Sequence, residues 1–335
     1  MAERNWDEGP GVARSVRRAE RWVIGSAVLS VLVFAGVAIT AGGPGVWRSI
    51  AGLDVMAICV LLSLSLVNYG MRVLRWLVFS QRLDIRVPAG PAGLYYVAGF
   101  AMTVTPGKLG EALRLWLLNR GHGYRYERTT VLLVADRLSD AGAMALMCLA
   151  GLSAFTGYAW TALVGGGAIL AATGLFLRPA LLLALVEWLF GKLGRWPRLF
   201  ARIRLALRHS GRLASFPVYG GTLALAVVGW LAEAVALWWL LDALGAPISL
   251  AQAVFVFAFA MIAGAAAMLP GGLGGTEVGM VGLLIAIGID LDVAIAATAI
   301  IRATTLWFAV GLGFLALPFA LRMVGRPAGI VTGRA

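Results

Sequence analysis

The chain has 335 residues, 61% of them hydrophobic and only 13% charged, with a net charge of +12. Soluble domains carry about 25% charged residues, so a soluble globular class is excluded for the bulk of the sequence. Apolar runs long enough to cross about 30 Å of hydrocarbon recur along it, and the basic excess belongs with a membrane surface rather than with nucleic acid.

Residues 1–21 form a basic, polar N-terminal segment, and no small-residue cleavage site follows the first apolar run. Residues 22–41 are therefore expected to be a retained anchor, not a signal peptide. Further full spans are expected at 55–79, 129–154, 159–178, 217–241 and 293–320. Of 28 Lys and Arg, five fall in 1–21, four in 72–92, five in 106–130, eight in 178–216 and three in 321–335. We place all of these segments on one side. Only Arg48 lies in a loop on the other side, while Arg137 and Arg302 lie inside spans. The positive-inside rule then predicts a bacterial-type inner membrane protein with both termini cytoplasmic. One membrane domain is expected over 22–322, followed by a cytoplasmic tail, 323–335.

Two apolar stretches, 91–120 and 249–289, begin and end on the same side and are broken by "PGKLGE" (106–111) and "PGGLGGTE" (270–277). Each is predicted to be a re-entrant helical hairpin with its tip at the Pro-Gly break. Non-helical backbone at membrane depth needs a protein or water-lined environment, so the tips are expected to face an internal cavity. The two units resemble each other. Pro106 precedes Arg137 by 31 positions and Pro270 precedes Arg302 by 32, while the Glu111–Arg137 and Glu277–Arg302 separations are 26 and 25. The hairpins enter from opposite sides, which predicts an inverted repeat of about 55–154 and 217–320.

Residues 195–213 form a different element. Trp196, Leu199, Phe200, Ile203 and Leu207 share one helical face, and five arginines cover the other. This is expected to be an amphipathic helix on the cytoplasmic surface, attracted to anionic lipids. The plain alternative is a long loop obeying the positive-inside rule.

Ionisable groups in hydrocarbon cost a few kcal/mol each by insertion scales, so they must pair, meet water or bind something. Glu111, Asp136, Asp140, Glu233 and Glu277 qualify, with Arg137 and Arg302. On a helix Asp136, Arg137 and Asp140 fall within one turn, and Arg137 and Asp140 share a face. Two carboxylates beside one arginine leave spare negative charge at that site unless Glu111 is protonated or another cation arrives. Helix N-termini after "PGKLG" and "PGGLGG" offer backbone N–H groups to an anion, with Lys108 nearby. The alternative is that the Glu–Arg pairs only hold the hairpins in place.

Ordinary catalysis finds no support. There is no H-E-x-x-H, no G-x-S-x-G and no phosphate loop, and Cys59 and Cys148 fall inside apolar runs. Asp136 and Asp140 could hold a divalent metal, but pairing with Arg137 is the expected role. No catalytic residue, metal or cofactor is expected. Trp238 and Trp239 read as interface anchors at a span end.

"P-G-x-L-G-E-x-x-R" (106–114), "ADRLSDAG" (135–142), "LRW" (74–76) and "LPGGLGGTE" (269–277) resemble the transmembrane flippase-like domain of lysylphosphatidylglycerol synthases, over roughly residues 20–322. The resemblance implies functional roles for Pro106, Gly110, Glu111, Arg114, Arg137, Asp140, Pro270, Gly271, Gly272, Gly274, Glu277 and Arg302. It also implies a domain that moves lipid between leaflets while a separate soluble domain makes it. No synthase-like segment follows the last span, so aminoacyl transfer is not carried over.

The expected fold is an all-α polytopic membrane protein with about six full spans plus two re-entrant hairpins related as an inverted repeat. The expected function is translocation of an anionic or zwitterionic phospholipid, aminoacyl-lipid or glycolipid head group. Membrane lipids are the expected partners, with a second copy of the chain as a candidate. A lipid-modifying transferase and a scaffold for a partner synthase are the alternatives.

Overall fold

The computed structural model describes residues 51–105, 109–152, 215–267 and 269–324, with isolated positions at 46, 48, 183–184 and 187–188. The expected spans 22–41 and 159–178, the amphipathic helix 195–213, Pro106 and Lys108 lie outside the described residues. Among the described residues every regular element is a helix.

Helix α1, Val55–Arg82, has 28 residues, about 42 Å at 1.5 Å per residue. Asp54 starts it by accepting the Ala57 N–H at 2.7 Å, a cap worth about 1 kcal/mol. Two short helices follow, α2 (Ala89–Ala98) and α3 (Leu109–His122). At about 15 and 21 Å, neither alone reaches across hydrocarbon. A 3₁₀ turn, Gly99–Met102, ends α2. Helix α4, Tyr126–Leu152, is long again.

The second half repeats this order. Helix α5 (Phe216–Ala243) is long, with a proline in its first turn where no intrahelical donor is lost. Helices α6 (Leu250–Ala266) and α7 (Gly275–Ala286) are short and flank the second Pro-Gly break. Ser249 and Gln252 form a reciprocal capping box at the start of α6. Helix α8 (Leu291–Arg302) passes through a π turn, Ala303–Trp307, into α9 (Phe308–Val324). Together α8 and α9 make one long apolar stretch.

Three of these helical stretches are long and apolar enough to cross a membrane: Val55–Arg82, Pro217–Ala243 and Leu291–Val324. Helix α4 has the length too, but Asp136, Arg137 and Asp140 interrupt it. Large apolar side chains remain outside, including Val278 at 74% and Leu315 at 69% exposure. In water such a surface would associate; on an all-α membrane protein it faces lipid.

Packing crosses the halves. Helix α1 lies along α5, α4 along α6, and α9 along α2. Backbones come close where glycine allows it. A Cβ on Gly110 would sit 2.2 Å from the Gly99 carbonyl oxygen, and one on Gly99 would sit 2.3 Å from Arg114 Nε. The start of α3 is thereby seated on the end of α2, with room left for the Arg114 side chain. Val104, two residues before the first break, also meets the second break. Val104, Leu306 and Val310 form a small buried cluster with Leu273, and a Cβ on Gly271 would lie 3.1 Å from Val104 Cγ1.

Candidate functional site

The structure changes the charge reckoning of the first half. Arg72 and Arg75, grouped by sequence with one-sided surface charge, sit inside α1, where Arg75 is fully buried. They are three positions apart and so share a face, which α1 turns toward α4. Arg75 Nε donates to Asp136 Oδ1 at 2.9 Å, and its Nη2 reaches Asp136 Oδ1 at 2.5 Å and Asp140 Oδ1 at 2.7 Å. Arg72 Nη2 lies 3.4 Å from Asp140 Oδ2. Arg137 completes the cage, 3.0 Å from Asp136 Oδ2 and 3.3 Å from Asp140 Oδ2. It also meets Glu111 across the interhelical gap at 3.4 Å.

Neutral donors finish the two aspartates. Tyr96 Oη donates to Asp136 at 3.3 Å and Trp230 Nε1 to Asp140 at 3.0 Å. Arg72 lies over the Trp230 ring, 5.1 Å from its centroid. Arg114 is buried one layer away, with its guanidinium 3.7 Å from the Tyr96 centroid and its Nε donating to the Tyr96 carbonyl.

The further cations that cancel the expected spare negative charge are thus supplied by the chain itself. Arg72, Arg75, Arg114 and Arg137 face Glu111, Asp136 and Asp140, a net of one positive charge. Donors are also in surplus, because arginine offers five N–H groups and accepts none. Arg75 Nη1 and Arg114 Nη1 are buried without a hydrogen-bond partner. Such groups cost about 1–3 kcal/mol when left unmade.

The second break closes on itself. Gly271, Gly272 and Gly274 have φ of 63°, 69° and 84°, a region open to glycine with little strain. The turn brings Glu277 back so that its Oε2 accepts the Gly274 N–H at 2.6 Å. Its Oε1 takes Arg302 Nε at 2.7 Å, and Arg302 Nη2 donates to the Gly271 carbonyl at 2.8 Å. An N–H group expected to await an incoming anion is thus engaged by the chain's own carboxylate. Immediately after Arg302, the π turn presents the Thr305 carbonyl to the Tyr69 hydroxyl.

Glu233 is within electrostatic reach of both assemblies. It is 4% exposed on α5, one turn beyond Trp230. Arg72 and Arg302, one from each half, and Asp140 are the charged groups that act on it. Among the described residues it has no hydrogen bond or ion pair.

The spacing-based pairs Glu111–Arg137 and Glu277–Arg302 form. Pro270 opens the second turn, and Gly110 anchors α3. Arg72, Arg75, Tyr96 and Trp230 were missed as site residues. One signal was available for the first two: the apolar run continues past them through Phe79, so they could not lie in a loop. Among the described residues, no group of three or more His, Cys, Asp or Glu is arranged to hold a metal. The oxygens of Asp136 and Asp140 are committed to arginine, tyrosine and tryptophan.

Comparison with known proteins agrees with this architecture. The chain matches the family described as lysylphosphatidylglycerol synthase TM region over residues 22–313. Two similar curated proteins come from Methanothermobacter thermautotrophicus, each described as a UPF0104 membrane protein. One is 23% identical over 322 residues, covering 87% of this chain and 94% of the relative. The other is 27% identical over 118 residues, covering 35% of each chain, so this chain spans about a third of that relative's length.

Proposed function

The chain belongs to the family of lysylphosphatidylglycerol synthase transmembrane regions, and from that premise we propose that it moves the head group of a membrane lipid between leaflets. The observation that carries this reading is the net-positive, donor-rich cluster of Arg72, Arg75, Arg114 and Arg137 in the protein interior. A structural ion-pair network would be expected to exhaust its donors, because each buried unmade one is costly. A phosphate oxygen is the acceptor such guanidinium groups are suited to take.

The two broken helix pairs supply the access. In this reading α2–α3 and α6–α7 are re-entrant hairpins of an inverted repeat, entering from opposite sides and meeting at Val104 and Gly271. A head group passes between them while its acyl chains stay in the bilayer. The host is a cytoplasmic membrane with both termini inside, and the basic segment 195–213 contacts anionic lipid there.

The test is reconstitution of the full chain into vesicles carrying a head-labelled phospholipid, with bleaching from outside by a membrane-impermeant reductant. Accelerated exchange over protein-free vesicles is expected, and slower exchange for Arg114→Gln. Exchange no faster than in protein-free vesicles, for phospholipid and glycolipid probes alike, overturns the reading.

A further inference from the structure

We propose that Glu233 is the proton site of this protein: a proton binds its carboxylate when a phosphodiester anion seats on the arginine cluster, so that lipid and proton move together without net charge. The proposal rests on the lipid reading above and adds its coupling.

Five interior arginines, Arg72, Arg75, Arg114, Arg137 and Arg302, face five carboxylates, Glu111, Asp136, Asp140, Glu233 and Glu277. With all ten ionised, the described interior is neutral. A phosphodiester adds one negative charge in a medium that penalises it. Restoring neutrality takes one proton on one carboxylate.

Among the described residues only one of these five carboxylates is without an ion pair. Glu111 pairs with Arg137, Asp136 with Arg75 and Arg137, Asp140 with three arginines, and Glu277 with Arg302. Protonating Asp140 would strand Arg72, protonating Glu277 would strand Arg302, and protonating Glu111 or Asp136 would break an ion pair. Glu233 has no such partner among the described residues, so its proton breaks nothing.

The surroundings of Glu233 fit a shared role. From α1 it is faced by Arg72 and by Tyr69, whose hydroxyl is committed to the Thr305 carbonyl. Asp140 faces it from α4 and Arg302 from α8. Helix α6, also packed on α5, carries no ionisable residue. When an anion occupies the arginines, Arg72 is shared with it and its hold on the Glu233 charge weakens, which draws the proton in.

A second, independent feature is an unpaired polar group on the same side of α5. Asn68 lies one turn before Arg72 on α1, is fully buried, and has neither amide atom hydrogen-bonded. It sits against Gly229, one turn before Glu233, where a Cβ would be 3.4 Å from Asn68 Nδ2. An amide with a free donor and a free acceptor can hold a water at that point.

The sign of the pH dependence follows from linkage. Below the Glu233 pKa of the empty protein the proton is already bound and lipid affinity is flat. Above it, affinity falls by up to about tenfold per pH unit until the pKa of the loaded protein is passed. The experiment is calorimetric titration of the full chain in detergent with a short-chain phosphatidylglycerol, in two buffers of different ionisation enthalpy, between about pH 5 and 9. Uptake approaching one proton per lipid is expected across the pH interval in which affinity falls, and none for a short-chain phosphatidylcholine, whose own cation restores neutrality. Glu233→Gln, fixed neutral, is expected to lose both the uptake and the pH dependence. Lipid binding without proton uptake at every pH in the parent chain overturns the inference, and needs no variant. Uptake that persists in Glu233→Gln assigns the proton elsewhere and also overturns it. Absence of lipid binding at every pH is a different result, because it removes the lipid reading itself.

Discussion

The two halves of the molecule use the same succession of helices and the same kind of broken motif to different ends. In the first half, two aspartates are surrounded by three arginines, a tyrosine and a tryptophan, and guanidinium N–H groups remain unspent. In the second, one glutamate and one arginine satisfy each other and the backbone of the turn. A surplus of buried donors is costly unless something arrives to use it, whereas a closed pair has nothing left to offer. The difference separates a half that binds from a half that locks a hairpin.

The largest effect is expected from removing a partner in the first half. Asp136→Asn would leave Arg75, which is fully buried, without its closest carboxylate. Taking one member from a buried pair typically costs about 3–5 kcal/mol. We expect loss of monodisperse protein in detergent, read by size-exclusion chromatography and by the melting temperature. A variant as stable as the parent would mean that the cage holds no weight in the fold.

The second half should give way less. The Glu277 side chain is partly exposed, at 19%, so water moderates the cost of stranding Arg302. Glu277→Gln keeps an acceptor for the Gly274 N–H while removing the charge. We expect a loss of about 1–3 kcal/mol, and coupling with Arg302→Gln in a double-mutant cycle of about 0.5–3 kcal/mol. Zero coupling would show that the pair is not the lock.

These partners differ in how far they could be read from sequence. The long helices follow from apolar run length alone, and α1, α4, α5 and α8–α9 lie where those runs fall. Glu111–Arg137 and Glu277–Arg302 were legible because a repeated spacing linked them. Asp136, Arg137 and Asp140 were legible because one helical turn brings them together. Arg72 and Arg75 were obscured by the positive-inside rule, which treats arginines near a span end as surface charge. Tyr96 and Trp230 carried no local signal at all. Their contacts to Asp136 and Asp140 span 40 and 90 positions, and only the packing of α2 and α5 against α4 creates them. The closure of Glu277 onto Gly274 was hidden by the glycines, which read equally well as a cradle for a ligand.

Packing at the two breaks sharpens the comparison further. Gly110→Ala would drive a methyl to 2.2 Å from the Gly99 carbonyl oxygen, a backbone atom that cannot swing aside. Shifting the helices apart is expected to cost about 1–3 kcal/mol. It would also disturb the Arg114 seat, so lipid exchange in vesicles should fall together with the melting temperature.

Gly274 is the counterpart on the second break and should respond more mildly. Its φ of 84° lies where a side chain is strained, at a cost of about 1–2 kcal/mol. Space is not the obstacle, since the nearest atom to an added Cβ is Leu269 Cδ1 at 3.6 Å. Gly274→Ala is therefore expected to lower the melting temperature slightly while leaving the Glu277–Arg302 pair intact. Lipid exchange should persist, because in a half that locks, the backbone N–H of Gly274 already serves Glu277 and has no ligand to lose. Exchange abolished in a Gly274→Ala protein that still melts near the parent temperature would show the opposite. The second break would then be a binding element, and the division of labour between the halves would fail.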